Sequence, residues 1–366
     1  MQSSADYLAI ILNETPLFDV RAPIEHSKGA INNAPNLPLM SDEERELVGT
    51  CYKNNGQEDA IALGRKLVTA ELQQQRTQAW LAFSKQNPEG LLYCFRGGLR
   101  SKITQQWMKD SGVDYPFVEG GYKALRRFLI DELEVSVASV PIMLLSGRTG
   151  SGKTRVLKKL AHQVDLEGLA NHRGSSFGAD IHPQPSPIDF ENSISSALLK
   201  HRHQHNNIVF LEDEGRLIGS LTLPLNLKSK MENSEHIELD TEIEQRIDYA
   251  IEDYILDLLN SYLAHHDQQS AFDLLAQRHT ISLTKIRKRL GAERFEQAIK
   301  LLENAISIHK QEDSTRGYRS FIHLLLTQYY DPMYDYQLEK KQRKAIFSGN
   351  SQAVIHYIDQ LNNAAN

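Results

Sequence analysis

The chain has little sulfur to work with: two cysteines among 366 residues. So few cannot build a disulfide framework, and both thiols, Cys51 and Cys94, are expected to be free. Long apolar runs are also missing. The opening segment MQSSADYLAIILNETPLFDVR has no basic n-region, and its apolar stretch is short and interrupted by polar residues. Neither a signal peptide nor a membrane span is expected, and the cytoplasm is the default compartment. An excess of positive charge is absent too. The net charge is −6, with 15 basic and 18 acidic residues before Val137 and 26 and 29 after it. Any nucleic-acid site must therefore be a local patch. What remains is an ordinary globular composition, 40% hydrophobic and 24% charged, at a length that suggests about two domains.

Along the chain, LFDV (Leu17 to Val20), a turn-rich RAPIEHSKGAINNAPNLPL and an apolar patch at Leu37 to Leu39 read as strand, loop, strand. Helical periodicity fills Ser41 to about Phe83, opened by the Ser/Asp cap and acidic first turn of SDEERELVG. A short strand from Gly90 to Tyr93 ends at Cys94, and SKITQQWMKDSG predicts a helix opening at Ser101 and closing at Gly112. YPFVEGGYKALRRFLIDEL adds a strand, a Gly-Gly turn and a closing helix. After a boundary near Glu134 to Pro141, PIMLLSGRTGSGKT begins a second unit, in which the helical ENSISSALLKHRHQ precedes the buried strand NNIVFLEDE. From about Thr241 amphipathic helices dominate. The alternation predicts an α/β class with parallel sheets.

YCFRGGLRS (Tyr93 to Ser101) sets one of the two cysteines at the mouth of a glycine- and arginine-rich loop. Thiolates are stabilised by successive backbone N–H groups, by arginine and by a helix N-terminus. Gly97 and Gly98 let the backbone curl, Arg96 and Arg100 add charge, and Ser101 falls where an N-cap is expected. The setting argues for a reactive Cys94 in a cradle for a tetrahedral oxyanion or a persulfide-like adduct. The other reading is a core cysteine that ends a buried strand. Cys51, in ELVGTCYKNNG, has no such surroundings and reads as a packed or surface thiol.

GRTGSGKT (Gly147, Arg148, Thr149, Gly150, Ser151, Gly152, Lys153, Thr154) follows the apolar strand IMLLS and precedes RVLKKLAHQ, which reads as a helix. Strand, glycine-rich loop and helix in that order form a phosphate-binding loop, with backbone amides around a diphosphate, Lys153 on its outer oxygens and Thr154 placed to ligand Mg²⁺. The strand IVFLEDE ends in Glu212, Asp213 and Glu214 where an aspartate alone is usual. Glu212 or Asp213 would bind Mg²⁺, or Glu212 would act on a water or a partner side chain; solvated loop carboxylates are the plainer reading of Asp213 and Glu214. The loop speaks for a diphosphate more firmly than for ATP hydrolysis.

NHRGSSFG brings His172, Arg173, Ser175 and Ser176 into eight residues, a lid or second phosphate contact unless it is an ordinary polar loop. HRHQH (His201 to His205) lacks the cysteine or carboxylate that would complete a ligand set and reads as a solvated helix end. Lys285, Arg287, Lys288 and Arg289, with Lys340, Lys341, Arg343 and Lys344, are candidate phosphate contacts for a nucleic acid, and YYDPMYDYQ (Tyr329 to Gln337) offers aromatics for unpaired bases. Charge runs are also commonly solvated faces, and aromatic clusters commonly core.

DVRAPIEHSKGAINNAPNLP is similar to the N-terminal signature of rhodanese-type sulfurtransferase domains, and VEGGYKALR to their C-terminal turn. Cys94 then falls at the persulfide-carrying position of that fold. Five residues, Phe95 to Leu99, separate Cys94 from Arg100, where many rhodaneses have four. Cys-x5-Arg is also the spacing of cysteine-dependent phosphatases, whose longer loop fits a phosphate. With YCFRGGLRS, LLSGRTGSGKT, NHRGSSFG, QPSPIDFEN and FLEDEGRLIG in this order, the chain resembles tRNA 2-selenouridine synthases over essentially its whole length.

That resemblance implies a rhodanese-like parallel-sheet domain, residues 1–136, followed by a P-loop NTPase-like domain, residues 137–366, with a helical C-terminal region from about 241. It implies a transferase acting on wobble 2-thiouridine in the tRNAs for Lys, Glu and Gln. The sulfur would first be geranylated with geranyl diphosphate. Selenium from selenophosphate, supplied by a selenophosphate synthase, would then replace the geranylthio group. In this scheme Gly147 to Thr154 hold the diphosphate, Cys94 takes selenium as a selenopersulfide and passes it to C2 of the uridine, Arg96 and Arg100 hold the phosphate, and Asp19 orients the loop. A monomer with no tightly bound cofactor and no membrane partner is expected, with Mg²⁺ a candidate ion. Two other functions fit the residues: a sulfurtransferase or cysteine phosphatase joined to an ATP-dependent kinase-like domain, and a non-catalytic regulator that binds tRNA or a nucleotide.

Overall fold

Short apolar runs, each followed by a turn or a helix cap, build the first of two parallel sheets. The computed structural model describes residues 3–31, 33–204, 207–341 and 343–365. In it Ser3–Ser4 (β1), Leu17–Asp19 (β2), Leu91–Tyr93 (β3) and Phe117–Val118 (β4) pair in parallel in the order β1-β4-β3-β2. Every residue of β2, β3 and β4 is buried, as strands covered on both faces must be. Helices Asp42–Asn55, Gln57–Leu67 and Ala70–Gln86 fill the interval read as helical. The first is opened by a reciprocal capping box between Ser41 and Glu44. Leu37 to Leu39 is not a strand. Asn36 bridges to Asp19, and the N–H groups of Leu37 and Leu39 donate to the Asp19 and Val20 carbonyls at 2.9 and 3.1 Å, but Pro38 between them has no N–H with which to extend a ladder.

The chain divides into two units, Met1–Ser139 with Ser186–Gln204, and Val140–Pro185 with His205–Asn366. Helix Pro187–Gln204 follows the phosphate loop in sequence and yet packs in the first unit. Its Asn192 Nδ2 donates to the Ala30 carbonyl at 2.8 Å, its Ser195 Oγ donates to the Leu129 carbonyl at 2.6 Å, and Leu199 shares a core with Leu125 and Leu129.

In the second unit Ile142–Ser146 (β5), Gln163–Val164 (β6), Val209–Glu212 (β7), His236–Leu239 (β10) and Phe347–Gly349 (β11) form a parallel sheet, order β11-β10-β5-β7-β6, beside a small antiparallel pair, Leu217–Ile218 (β8) and Leu221–Thr222 (β9). The helix after the phosphate loop is brief, Lys153–Leu157, and then tightens: Lys159 and Leu160 donate to carbonyls only three residues back. From Ile243 a run of helices packs around Ile247, Phe272, Leu283, Leu302 and Phe321. Two of its segments are π-helical, Glu252–Leu256 and Leu326–Tyr330. No helix among the described residues is long and apolar enough to cross a membrane.

Candidate functional site

Cys94 follows β3 directly. It is 3% exposed and packs among Phe18, Leu92, Met108 and Phe117. Two glycine pairs lock its loop to the start of helix Gly121–Ser139. The N–H of Tyr122 donates to the Cys94 carbonyl at 2.9 Å, and that of Lys123 donates to the Phe95 carbonyl at 3.0 Å. Gly97 has φ +59, and a Cβ there would stand 2.6 Å from the Val118 carbonyl oxygen and 2.8 Å from the Gly120 nitrogen. Gly121 has φ +58, and a Cβ there would collide with the carbonyl oxygen of Cys94 and the nitrogen of Gly97. Gly97 and Gly121 can approach each other only because neither has a side chain.

The loop differs from expectation in its polar groups. Ser101 is not the N-cap. Helix Leu99–Asp110 begins two residues earlier with Gly98 at the cap, so Ser101 lies inside the first turn, wholly buried, where its Oγ accepts the N–H of Cys94 at 3.1 Å. Arg100 is committed to Glu25 by two bonds, 2.5 and 3.1 Å, with Arg45 3.7 Å from the same carboxylate. Burial works to raise the pKa of Glu25, but the bonds from Arg100 outweigh it and hold the carboxyl below its ordinary range. Arg96 is exposed. Asp19 accepts two hydrogen bonds from Arg21, both at 2.8 Å, and the Arg21 guanidinium lies 3.8 Å from the centre of the Tyr122 ring. Asp19 therefore reaches the loop through Arg21 and the ring of Tyr122, whose N–H holds the Cys94 carbonyl.

The phosphate loop joins β5 to helix Lys153–Leu157, with Gly147 (φ +149), Gly150 (φ +77) and Gly152 (φ +84) in glycine-favouring geometry. Lys153 Nζ donates to the Gly147 carbonyl at 3.1 Å, and the Ser151 N–H donates to the Arg148 carbonyl at 3.0 Å. Arg246, nearly sealed from solvent, donates from Nε and Nη2 to the Thr149 carbonyl at 3.0 and 2.9 Å and pairs with Asp331 at 2.6 Å. Arg148 reaches the same Asp331 at 3.4 Å and pairs with Asp335 at 2.7 Å. The C-terminal helices thus brace the loop by ion pairs.

A carboxylate pair sits at the loop's helical end. Thr154 Oγ1 donates to Glu167 Oε2 at 3.1 Å. Glu167 in turn interacts with Glu214. Burial first, and then the charge of Glu167, push the Glu214 carboxyl up to about 8; burial raises Glu167 as well, against the pull of Lys153. Glu212 is fully buried, and its Oε2 accepts the N–H of Leu166 at 3.0 Å. Burial and the neighbouring Asp165 and Glu167 push its pKa well upward. Its other oxygen, Oε1, is buried without a hydrogen-bond partner. Among the described residues no group of three or more His, Cys, Asp or Glu is set out to hold a metal ion.

Lys153, Thr154, Glu167 and Glu214 face one cavity of about 810 Å³, which is also lined by the rest of the phosphate loop except Arg148, by Asp213 and by the NHRGSSFG segment, including His172, Arg173, Ser175 and Ser176. Arg173 is held by Asp253 at 2.8 Å and Asp257 at 2.9 Å. Burial lowers the pKa of His172, with Arg278 and Lys285 adding to the effect. Arg289 also lines the cavity. Lys285, Arg287 and Lys288 are exposed, and the Arg287 guanidinium lies over the Phe295 ring at 4.9 Å. Arg343 is taken up by the Ser234 carbonyl at 2.5 Å and lies 3.6 Å from Asp213; the side chains of Lys340 and Lys341 lie outside the described residues. Tyr329 and Tyr330 are buried and Tyr336 is exposed, so YYDPMYDYQ is not one continuous stacking surface. His201 is buried rather than solvated, and His205 lies outside the described residues. Reading the sequence missed Glu167, Arg246 and Asp253. Asp331 and Asp335 were visible as an acidic i, i+4 row, but nothing local named their partners.

Comparison with known proteins agrees over nearly the whole chain. The family model described as the tRNA 2-selenouridine synthase AAA domain matches residues 140–365. A tRNA 2-selenouridine synthase of Marinobacter nauticus is 50% identical over 352 residues, 96% of this chain and 96% of that protein. One from Shewanella frigidimarina is 49% identical over 98% of each chain. Another from Pseudomonas syringae pv. syringae is 46% identical over 97% of each.

Proposed function

The chain belongs to the tRNA 2-selenouridine synthase family, and on that footing we propose that it converts wobble 2-thiouridine in the tRNAs for Lys, Glu and Gln to 2-selenouridine in two stages. In the first, the thiouridine sulfur attacks C1 of geranyl diphosphate; the C–O bond breaks, diphosphate leaves, and the N3 proton is lost as the S-geranyl product forms. In the second, selenium from selenophosphate replaces the geranylthio group at C2 with Cys94 as the nucleophile: the thiolate takes the phosphoryl group, the selenide released attacks C2 and expels geranylthiol, and water then frees the thiol and phosphate.

The observation that carries this reading is the phosphate loop opening, with Lys153 and Thr154, into a cavity of about 810 Å³, room for a diphosphate together with an organic group esterified to it. Donors fixed around a leaving diphosphate stabilise charge that grows as the bond breaks. Glu212, at the strand end where nucleotide hydrolases place a metal-holding carboxylate, is turned to Leu166, which suits binding of a diphosphate without hydrolysis of a nucleotide. The hard oxygens of Thr154 and Glu167 fit a magnesium ion by their chemistry, and such an ion would offset the charge of the diphosphate. The first unit, read as a rhodanese-like domain, would supply the selenium stage through its buried Cys94, with Arg96 and Arg100 for the phosphate. Lys285, Arg287, Lys288 and Arg289 are the proposed tRNA contacts.

The test supplies 2-thiouridine tRNA with geranyl diphosphate, then with selenophosphate, and follows the nucleosides by mass spectrometry. Lys153→Ala should impair S-geranylation. Cys94→Ala should geranylate and fail to selenate. Equal loss of both stages in both variants would overturn the division of labour.

A further inference from the structure

The cavity at the phosphate loop has a second wall that a diphosphate does not use. The π-helical segments Glu252–Leu256 and Leu326–Tyr330 frame it. A π turn takes in an extra residue and re-aims the side chains that follow, which is why such turns recur at functional sites. Tyr254 comes from the first segment, Tyr329 and Tyr330 from the second, and Met333, Tyr334 and Leu338 from helix Asp331–Lys341. The wall starts next to the diphosphate end. The Tyr334 hydroxyl donates to Glu238 at 3.2 Å, and its ring centre lies 5.9 Å from the guanidinium of Arg148, a phosphate-loop residue. Tyr329 and Tyr330 meet edge to face, 4.9 Å apart, and are 7% and 6% exposed. Rings so covered cannot offer a full free face to a stacking base, but their edges and the Met333 and Leu338 side chains can line a hydrocarbon.

On the reading above, in which the donor is an allylic diphosphate, we propose that Tyr254, Tyr329, Tyr330, Met333, Tyr334 and Leu338 hold the donor's hydrocarbon chain and set the length accepted. The geometry couples two recognitions in one cavity: backbone amides and Lys153 fix the charged end, and the wall removes the chain from water. Selectivity between donors that share a diphosphate then resides in the C-terminal helices and not in the loop.

The test is calorimetric titration of the full chain with inorganic pyrophosphate, dimethylallyl diphosphate and geranyl diphosphate, for wild type, Met333→Ala, Leu338→Ala and Met333→Trp. Wild type should bind geranyl diphosphate at least about tenfold more tightly than pyrophosphate. Met333→Ala and Leu338→Ala should lose most of that margin with pyrophosphate affinity within about twofold of wild type. Met333→Trp, which fills the wall, should shift preference toward the five-carbon donor. A margin retained by all three variants would overturn the wall and leave the donor class standing. Equal affinity of wild type for pyrophosphate and geranyl diphosphate would overturn the donor class and the wall together.

Discussion

Thr154 donates its hydroxyl hydrogen bond to Glu167 at 3.1 Å, and Glu167 in turn interacts with Glu214, so the first helical turn after the phosphate loop ends against two carboxyl groups. Burial, and then the charge of Glu167, raise Glu214 from its ordinary 4.5 to about 8. Between those values the folded chain holds a proton that the unfolded chain has released. Stability therefore falls as pH rises across that window and levels off above it. Thermal melts from pH 5 to 9 should show this decline in wild type, and Glu214→Gln, which has no proton to lose, should make it shallower, Glu167 and Glu212 being raised as well. A variant whose melting temperature falls as steeply as wild type's would show that the raised pKa is not real.

Arg100 is bonded twice to Glu25, so its charge is spent inside the protein until an anion competes for it. Glu25→Gln weakens that hold and should tighten binding of selenophosphate to the full chain by about three- to tenfold, because a charge-assisted pair gives way to a neutral one. Affinity should also become more salt-sensitive. No change in either would mean that Arg100 does not meet the anion.

Gly121 takes φ +58 where an added Cβ meets the backbone of Cys94 and Gly97. Gly121→Ala should cost about 2 kcal/mol or more, since strain and collision add. Selenation should fall further than S-geranylation, because the collision displaces the backbone that shapes the Cys94 loop. Denaturant unfolding and the nucleoside assay read the two effects separately.

Arg246 is 3% exposed and shares its donors between the Thr149 carbonyl and Asp331. Asp331→Asn leaves that buried charge short of its partner, a loss of about 3 kcal/mol by the usual cost of breaking a buried pair. Pyrophosphate should bind about tenfold more weakly as the loop loosens. If stability drops and pyrophosphate affinity does not, the pair braces the fold without shaping the loop.

Arg289 lines the cavity, and Lys285 acts on His172 in the cavity wall, whereas Arg287 lies over Phe295. Lys285→Ala with Arg289→Ala should reduce the salt slope of tRNA binding by about 1 to 2. Arg287→Ala should change it less. The reverse order would move the tRNA track to the other face of helix Gln268–Leu290.

The amino-acid sequence by itself determined the phosphate loop, the cysteine loop and the α/β alternation. These are local properties: glycines at fixed offsets, an apolar strand before them and a helical period after them are written in consecutive residues. It misled at Leu37 to Leu39, where apolar content suggested a strand and Pro38 interrupts the ladder. It was silent on β10 and β11, short strands whose parallel neighbours are distant in the chain. Tertiary structure alone decided that helix Pro187–Gln204 returns to the first unit, that Arg100 is held by Glu25, that Glu212 faces Leu166, and that Glu167 and Glu214 meet at Thr154. Each joins residues tens of positions apart or more. Which charge pairs with which, and which carboxyl is desolvated, depends on how whole elements pack, and no spacing within a motif records that.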